Sequence, residues 1–192
     1  MIKKSLTKEL IISSAFAMID EKGKDNFSMR QLAAKLGVQV SSLYNHVKNE
    51  HELMLEVAKL AAAKYTEHVV QAVSGIELDD ATTESADAFR SFLKDHRYLY
   101  ELLIDESLLS DPGFQQAIKG FEAPIFYILK EYGVEDKEFM EHMYVAMRVV
   151  THGFSTLDSL GVFDHLEIDT TESYHMMVRS VVEAMKAKGN KN

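Results

Sequence analysis

Between Phe27 and Leu55 the chain reads FSMRQLAAKLGVQVSSLYNHVKNEHELML, a stretch compatible with two short helices joined by a tight turn and followed by the start of a longer one. Ser28 is placed to cap a helix, and Gln31 three residues on completes an S-x-x-Q capping box. Met29, Leu32, Ala33 and Leu36 then fall at i, i+3, i+4 and i+7, which gives that helix one apolar face. Gly37 stands where the helix ends and φ must turn positive. Val38 and Leu43 anchor a second short helix. Its other face carries Gln39, Ser41, Ser42, Asn45 and His46, groups small or polar enough to enter a DNA groove. Asn49 restarts a helix, with Glu52 at its third position. This is the pattern of a helix-turn-helix, whose second helix reads the major groove. Taken bare, two amphipathic helices around a glycine also describe a small three-helix packing unit with no DNA partner.

The rest of the chain predicts further helices and no convincing strand. A long helix is expected from Glu50 to about Val73, closed by Gly75. The segment IELDDATT reads as a linker. Helices are then expected over 84–95, 98–109 and 114–132, the last kinked by Pro124 and closed by Gly133. Ser110-Asp111-Pro112-Gly113 between them is a turn by composition. Two final helices cover about 137–160 and 171–188, separated by the loop GVFDHLEIDT. The result is an all-α fold of about nine helices.

Net charge at first argues against a nucleic-acid partner, since the 192 residues sum to −9. Its distribution removes the difficulty. Residues 1–60 hold nine Lys/Arg against seven Asp/Glu, while residues 61–192 hold twelve against twenty-three. DNA affinity depends on a local basic face, and an acidic second region turns that face toward phosphate. Hydrophobic residues make up 46% of the chain, enough for a substantial core, and there are only two prolines to interrupt long helices. No apolar run approaches the ~20 residues of a membrane span. The N-terminal MIKKSLTKELII lacks a small-residue cleavage site, which argues against a signal peptide. With no cysteine there is neither a disulfide nor a thiolate metal site, in keeping with a cytoplasmic protein.

Catalytic signatures are missing. There is no phosphate-binding glycine loop and no G-x-S-x-G elbow. None of the eight histidines lies three or four residues from another, so no helix offers a two-histidine metal face. A single E-x-x-H, Glu172 to His175, falls short of the paired motifs and extra carboxylates of a di-iron site. The reading is therefore not an enzyme, with no catalytic residue, no metal and no cofactor.

The run AAKLGVQVSSLYNHVKN, Ala33 to Asn49, resembles the DNA-binding head of the tetracycline repressor (TetR) family, and Leu10 to Gly23 is similar to that family's first helix. The resemblance covers about the first 60 residues, with hydrophobic spacing, Gly37, Leu43-Tyr44 and His46 all in agreement. It implies a helix-turn-helix domain at residues 1–50 and a ligand-binding and dimerisation domain at 51–192. Carried over by position, it places Arg30, Gln39, Val40, Ser42 and Asn45 at base edges. Ser28, Ser41, Tyr44, His46 and Lys48 are placed at phosphates. The family usually has lysine where this chain has Glu50.

A second resemblance lies in RVVTHGFSTLDSLGVF, Arg148 to Phe163, which is similar to a C-terminal domain type of the family marked by a Trp-His-Gly triplet. The triplet here is Thr151-His152-Gly153, without the tryptophan. The resemblance implies a homodimer through a four-helix bundle of the last two helices, and the wide apolar face of Met177, Val181 and Met185 at i, i+4 and i+8, with Val178 and Val182 beside them, is expected at that interface together with Gly153. It also implies a cavity for a small apolar or amphipathic ligand near Phe89, Tyr98, Phe126, Met147 and His152. The enrichment in methionine and aromatic residues is compatible with such a cavity and equally with a filled core. The function expected is a dimeric repressor of an inverted-repeat site in double-stranded DNA, released when ligand tilts the long helix. A regulator or activator without a ligand, and a helical interaction module without DNA, remain as alternatives.

Overall fold

The computed structural model describes residues 5–121 and 123–189, and among them there is no β-strand. Eleven α-helices follow in order: α1 (Lys8–Lys22), α2 (Met29–Leu36), α3 (Val40–Leu43), α4 (Glu50–Val73), α5 (Leu78–Asp95), α6 (Arg97–Leu103), α7 (Glu106–Leu109), α8 (Pro112–Ile118), α9 (Ala123–Glu131), α10 (Lys137–Ser159) and α11 (Thr170–Gly189). Single 3-10 turns occupy Lys24–Asn26 and Lys119–Phe121.

The chain forms two compact units. The first takes the described residues up to Lys64 together with His96–Ile118, and the second takes Tyr65–Asp95 and the described residues from Lys119 onward. The helix α4 thus contributes its first part to one unit and its last part to the other. The physical reason for the returning segment is apolar. On α6, Leu99, Tyr100, Leu102 and Leu103 are buried, and α1 and α6 pack against each other. The His96 ring also meets Asp20 of α1 at 2.9 Å.

In the first unit, Thr7 caps α1 by accepting the Leu10 N–H at 3.2 Å. Ile11, Ala15 and Ile19, four residues apart, make its buried stripe. The expected helix over 98–109 is broken in two. Asp105 ends the first piece and caps the second by accepting the Ser107 N–H at 2.9 Å, and its carboxylate also pairs with Lys24. Burial alone would raise the Asp105 pKa, but the hydrogen bonds from Lys24 and Ser107 outweigh it and hold the group below the ordinary range.

In the second unit, α5, α9, α10 and α11 enclose a core of Ile125, Leu129, Met140, Met147, Phe154, Tyr174, Val178, Val182 and Met185. The Tyr174 hydroxyl donates to the Ala86 carbonyl at 2.7 Å, and Arg90 bonds Asp158 at 2.8 Å and Thr171 at 3.2 Å, which ties α5 to the ends of α10 and α11. Two expectations need correction here. The helix expected from Glu84 begins at Leu78, because Ala81, Thr82 and Ser85 are buried and the Glu77 carbonyl accepts the Asp80 and Ala81 N–H groups. The helix expected over 114–132 is α8, a 3-10 turn and α9, with Pro124 at the second position of α9. Proline there opens a helix instead of kinking one, since first-turn N–H groups have no partner within the helix.

Candidate nucleic-acid interface

The geometry of the helix-turn-helix follows from local chemistry at each joint. Ser28 stands at the N-cap of α2 in extended conformation and accepts the Gln31 N–H at 3.3 Å, while its hydroxyl donates to the Gln31 side-chain oxygen at 3.1 Å. The capping box therefore closes side chain to side chain. Met29, Leu32 and Ala33 of α2 are buried, as are Leu43 and Val47 at and after α3. The Gly37 backbone is left-handed, with φ 67° and ψ 33°. Its N–H donates to Ala34 and the Val38 N–H to Ala33, a paired closure that ends α2 and aims α3. The α-helical part of α3 spans only Val40–Leu43, and the turn continues through His46, whose N–H reaches the Leu43 carbonyl at 2.9 Å.

The start of α4 is fixed by a second reciprocal cap. Asn49 Oδ1 accepts the Glu52 N–H at 2.8 Å, and the Glu52 carboxylate accepts the Lys48 N–H at 2.7 Å and the Lys8 ammonium at 3.3 Å. The Lys48 backbone bond, with help from Lys8, holds the Glu52 carboxyl below its ordinary pKa.

The expected DNA contacts differ in exposure. Arg30, Gln39, Ser41, Tyr44, Asn45 and Lys48 are exposed, Tyr44 at 47%. Ser28, Val40, Ser42 and His46 are partly covered. The Ser28 hydroxyl is already committed to the helix cap. Glu50 is exposed on the first turn of α4.

The expected ligand residues are only partly brought together. The second unit holds a cavity of about 30 Å³ whose wall includes Phe89 and Met147. Phe126 and His152 are not in that wall. Helix positions advance about 100° per residue, so His152 is turned away from the inward line of Met147 and Thr151, while Phe126 packs edge-to-face on Tyr144 at 6.0 Å. Burial pushes the half-buried His152 imidazole below its usual pKa. Tyr98 is a correction, for it belongs to the first unit and lies over Gly23, where a Cβ would come within 3.0 Å of its ring. The sequence reading missed Tyr65 and Arg148, which line the cavity. Arg148 had a signal: it shares an apolar register with Tyr144, Met147 and Thr151.

The expected interface residues also split. Val178, Val182 and Met185 are buried within the chain's own core and so are corrected to core residues. Met177 is 38% exposed and Val181 and Gly153 are partly covered. A Cβ on Gly153 would meet nothing within 4 Å, so this glycine makes no room inside the subunit. No group of three or more His, Cys, Asp or Glu among the described residues could hold a metal ion, and no described helix is long and apolar enough to cross a membrane.

Residues 11–57 match the bacterial regulatory proteins of the tetR family, and residues 82–181 match the tetracyclin repressor-like C-terminal domain. The chain belongs to the TetR family of DNA-binding transcriptional regulators, which is not a family of enzymes. It is 29% identical over 186 residues to the HTH-type transcriptional regulator Rv0681 of Mycobacterium tuberculosis, covering 95% of this chain and 83% of that one. In fold it resembles BioQ of Mycobacterium smegmatis, solved with its double-stranded DNA operator, at a TM-score of 0.65 and 21% identity over 95% of this chain and 99% of that one. The Streptomyces coelicolor TetR family protein ActR in complex with (S)-DNPA is similar at a TM-score of 0.63 and 20% identity, over 96% and 99% of the two chains.

Proposed function

We propose that this protein is a homodimeric repressor that holds an inverted-repeat operator and is released by a small apolar or amphipathic ligand. The observation that carries the reading is the exposure of Arg30, Gln39, Tyr44, Asn45 and Lys48 around a turn whose flanking helices α2 and α4 are capped at their starts by Ser28 and Asn49. Arg30 and Gln39 pair with guanine and adenine edges, Val40, Ser42 and Asn45 complete the base contacts, and Ser41, Tyr44, His46 and Lys48 grip phosphates, while Ser28 holds the cap that positions them. BioQ, of the same fold, was solved on its operator, which supports a DNA partner for this chain.

The dimer is formed through α10 and α11. Val145 and Val149 are 56% and 65% exposed and stand at i and i+4 from each other, with Gly153 at i+8. Met177 and Val181 continue the apolar surface on α11. An open-faced glycine in the middle of a helix costs about 1 kcal/mol relative to alanine, and close approach of a second copy gives it a reason. Two heads related by a two-fold axis match two half-sites.

Release uses the cavity of the second unit, as the ActR complex supports for a protein of this fold. Tyr65 lines it and stands on α4, the helix that begins just after the recognition segment. A ligand that favours a different placement of Tyr65 shifts α4 and the head spacing, provided that it binds that state better than the DNA-bound one. One observation favours a second reading, a regulator with no ligand: about 30 Å³ holds a water and falls far short of the roughly 300–1,000 Å³ of a ligand site. A gel shift on DNA upstream of the protein's own gene, with and without a small-molecule library, separates the readings. Binding released by a library member supports the repressor, binding that none releases supports the ligand-free regulator, and no binding refutes both.

A further inference from the structure

The cavity has a chemistry that its size conceals. Three aromatic rings pack against Tyr65, with centroid distances of 4.6 Å to Phe121, 5.4 Å to Phe92 and 5.9 Å to Phe89, and two of them, Phe121 and Phe89, also line the cavity. Burial pushes the Tyr65 phenol up to about 12, so it stays a neutral hydroxyl. Into this apolar wall the chain has placed a cation. The Arg148 guanidinium lies 5.8 Å from the Phe121 ring centroid, and no carboxylate pairs with it or lines the cavity among the described residues. In the same wall, Thr82 is fully buried and its hydroxyl has no hydrogen-bond partner among the described residues. Ser85, also buried, is in the same wall.

Each of these is costly in isolation. A half-covered guanidinium with no counter-ion among the described residues loses hydration, and a buried hydroxyl without a partner among them carries a desolvation penalty. Both deficits are met by one kind of group, an anionic oxygen acceptor. Arginine presents a planar fork of donors that two oxygens match together, and a hydroxyl adds a third donor. An apolar molecule without such a group would leave both unsatisfied and would have to bury the charge further.

We infer that the effector of this site is an amphipathic organic anion, its carboxylate or like group held by Arg148 and Thr82 and its apolar body seated among Tyr65, Phe89 and Phe121. This rests on the reading of the cavity as the effector site. Since the present volume admits about one water, entry requires the ring of Phe121, on the 3-10 turn Lys119–Phe121, to move from the face of Tyr65. The same displacement of Tyr65's neighbours would couple occupancy to α4.

The test uses two dyes of one skeleton on the full chain: 1-anilinonaphthalene-8-sulfonate, an aromatic anion, and N-phenyl-1-naphthylamine, which lacks the charged group. Both report binding by fluorescence. Met147→Trp, which fills the cavity, should abolish binding of both. Arg148→Gln should weaken the anionic dye about tenfold or more and the neutral dye less than about twofold, as expected for loss of a charge-assisted bond. Arg148→Lys should restore part of the loss, and Thr82→Val should act in the same direction as Arg148→Gln with a smaller effect. Circular dichroism melting checks each variant, and Arg148→Lys with Thr82→Val carry the test should Arg148→Gln fail to fold. If the neutral dye is blocked by Met147→Trp but the anionic dye is indifferent to Arg148 and Thr82, the anion proposal falls and the effector site stands. If neither dye binds the wild-type cavity at about 100 µM, a weak affinity by any standard, both fall.

Discussion

Gly37 offers the most direct way to ask whether the turn of the helix-turn-helix is held by backbone conformation or by space. Its φ of 67° and ψ of 33° are left-handed, yet a Cβ built there would meet nothing within 4 Å. Gly37→Ala therefore adds no clash. It incurs the conformational cost of an L-residue in that region, about 1–2 kcal/mol, offset by about 0.4–1 kcal/mol from a less flexible unfolded chain. The net expectation is about 1 kcal/mol of destabilisation. For a protein of this length that lowers Tm by about 2–4 °C. Gly37→Asn should cost less than alanine, because asparagine visits this region more readily. Thermal and urea unfolding of the three proteins, followed by circular dichroism, measures the differences. A cost above about 3 kcal/mol for alanine, or asparagine worse than alanine, would show that close packing at Gly37 decides the matter and that the conformational argument is wrong.

Three further outcomes are expected. Glu50→Lys, at the exposed first turn of α4, should tighten operator binding and steepen its salt dependence by about one counter-ion per half-site with sequence preference unchanged, measured by fluorescence anisotropy across a salt series. Val181→Asp or Gly153→Leu should convert the dimer to monomer or insoluble protein in analytical ultracentrifugation, whereas a wild-type monomer at micromolar concentration would remove the dimer and the palindrome with it. Because the folded-state pKa of Glu52 is depressed, its contacts with Lys48 and Lys8 contribute stability above the ordinary glutamate pKa and lose it as pH falls through the lower folded value. The difference in Tm between wild type and Glu52→Gln should accordingly be present at pH 7 and shrink below about pH 4.

What could be read from the chain depended on whether the signal was local. The bounds of α2, the turn at Gly37 and the start of α4 at Glu50 are set by caps within four residues, and the structure has them where Ser28, Gly37, Asn49 and Glu52 put them. The last two helices are long and periodic, and α10 and α11 lie within a residue of their expected bounds. Asp105 defeated the reading because its capping role competes with an otherwise helical pattern, and its partner Lys24 is 81 residues away. The polar letters of LDDATTES concealed the first turns of α5, where threonine and serine are buried by packing that composition does not reveal. Tyr98 was grouped with the ligand aromatics because clustering along the chain was taken for clustering in space. On α11 a wide apolar face served two purposes. Val178, Val182 and Met185 turn into the core while Met177 and Val181 lie further out, and helical spacing alone does not say which stripe is which.

The central claim is that the exposed surface around α3 reads an inverted repeat. It is tested most directly by DNase footprinting of the wild-type protein and Arg30→Ala on the DNA flanking its own gene, at low and at moderate salt. Protection of two symmetric half-sites on successive major grooves, weakened by salt, is the expected result. Arg30→Ala should relax the preference at one base pair in each half by about 1–3 kcal/mol. Protection of no sequence, or a single unsymmetric footprint indifferent to salt and to Arg30, would contradict it.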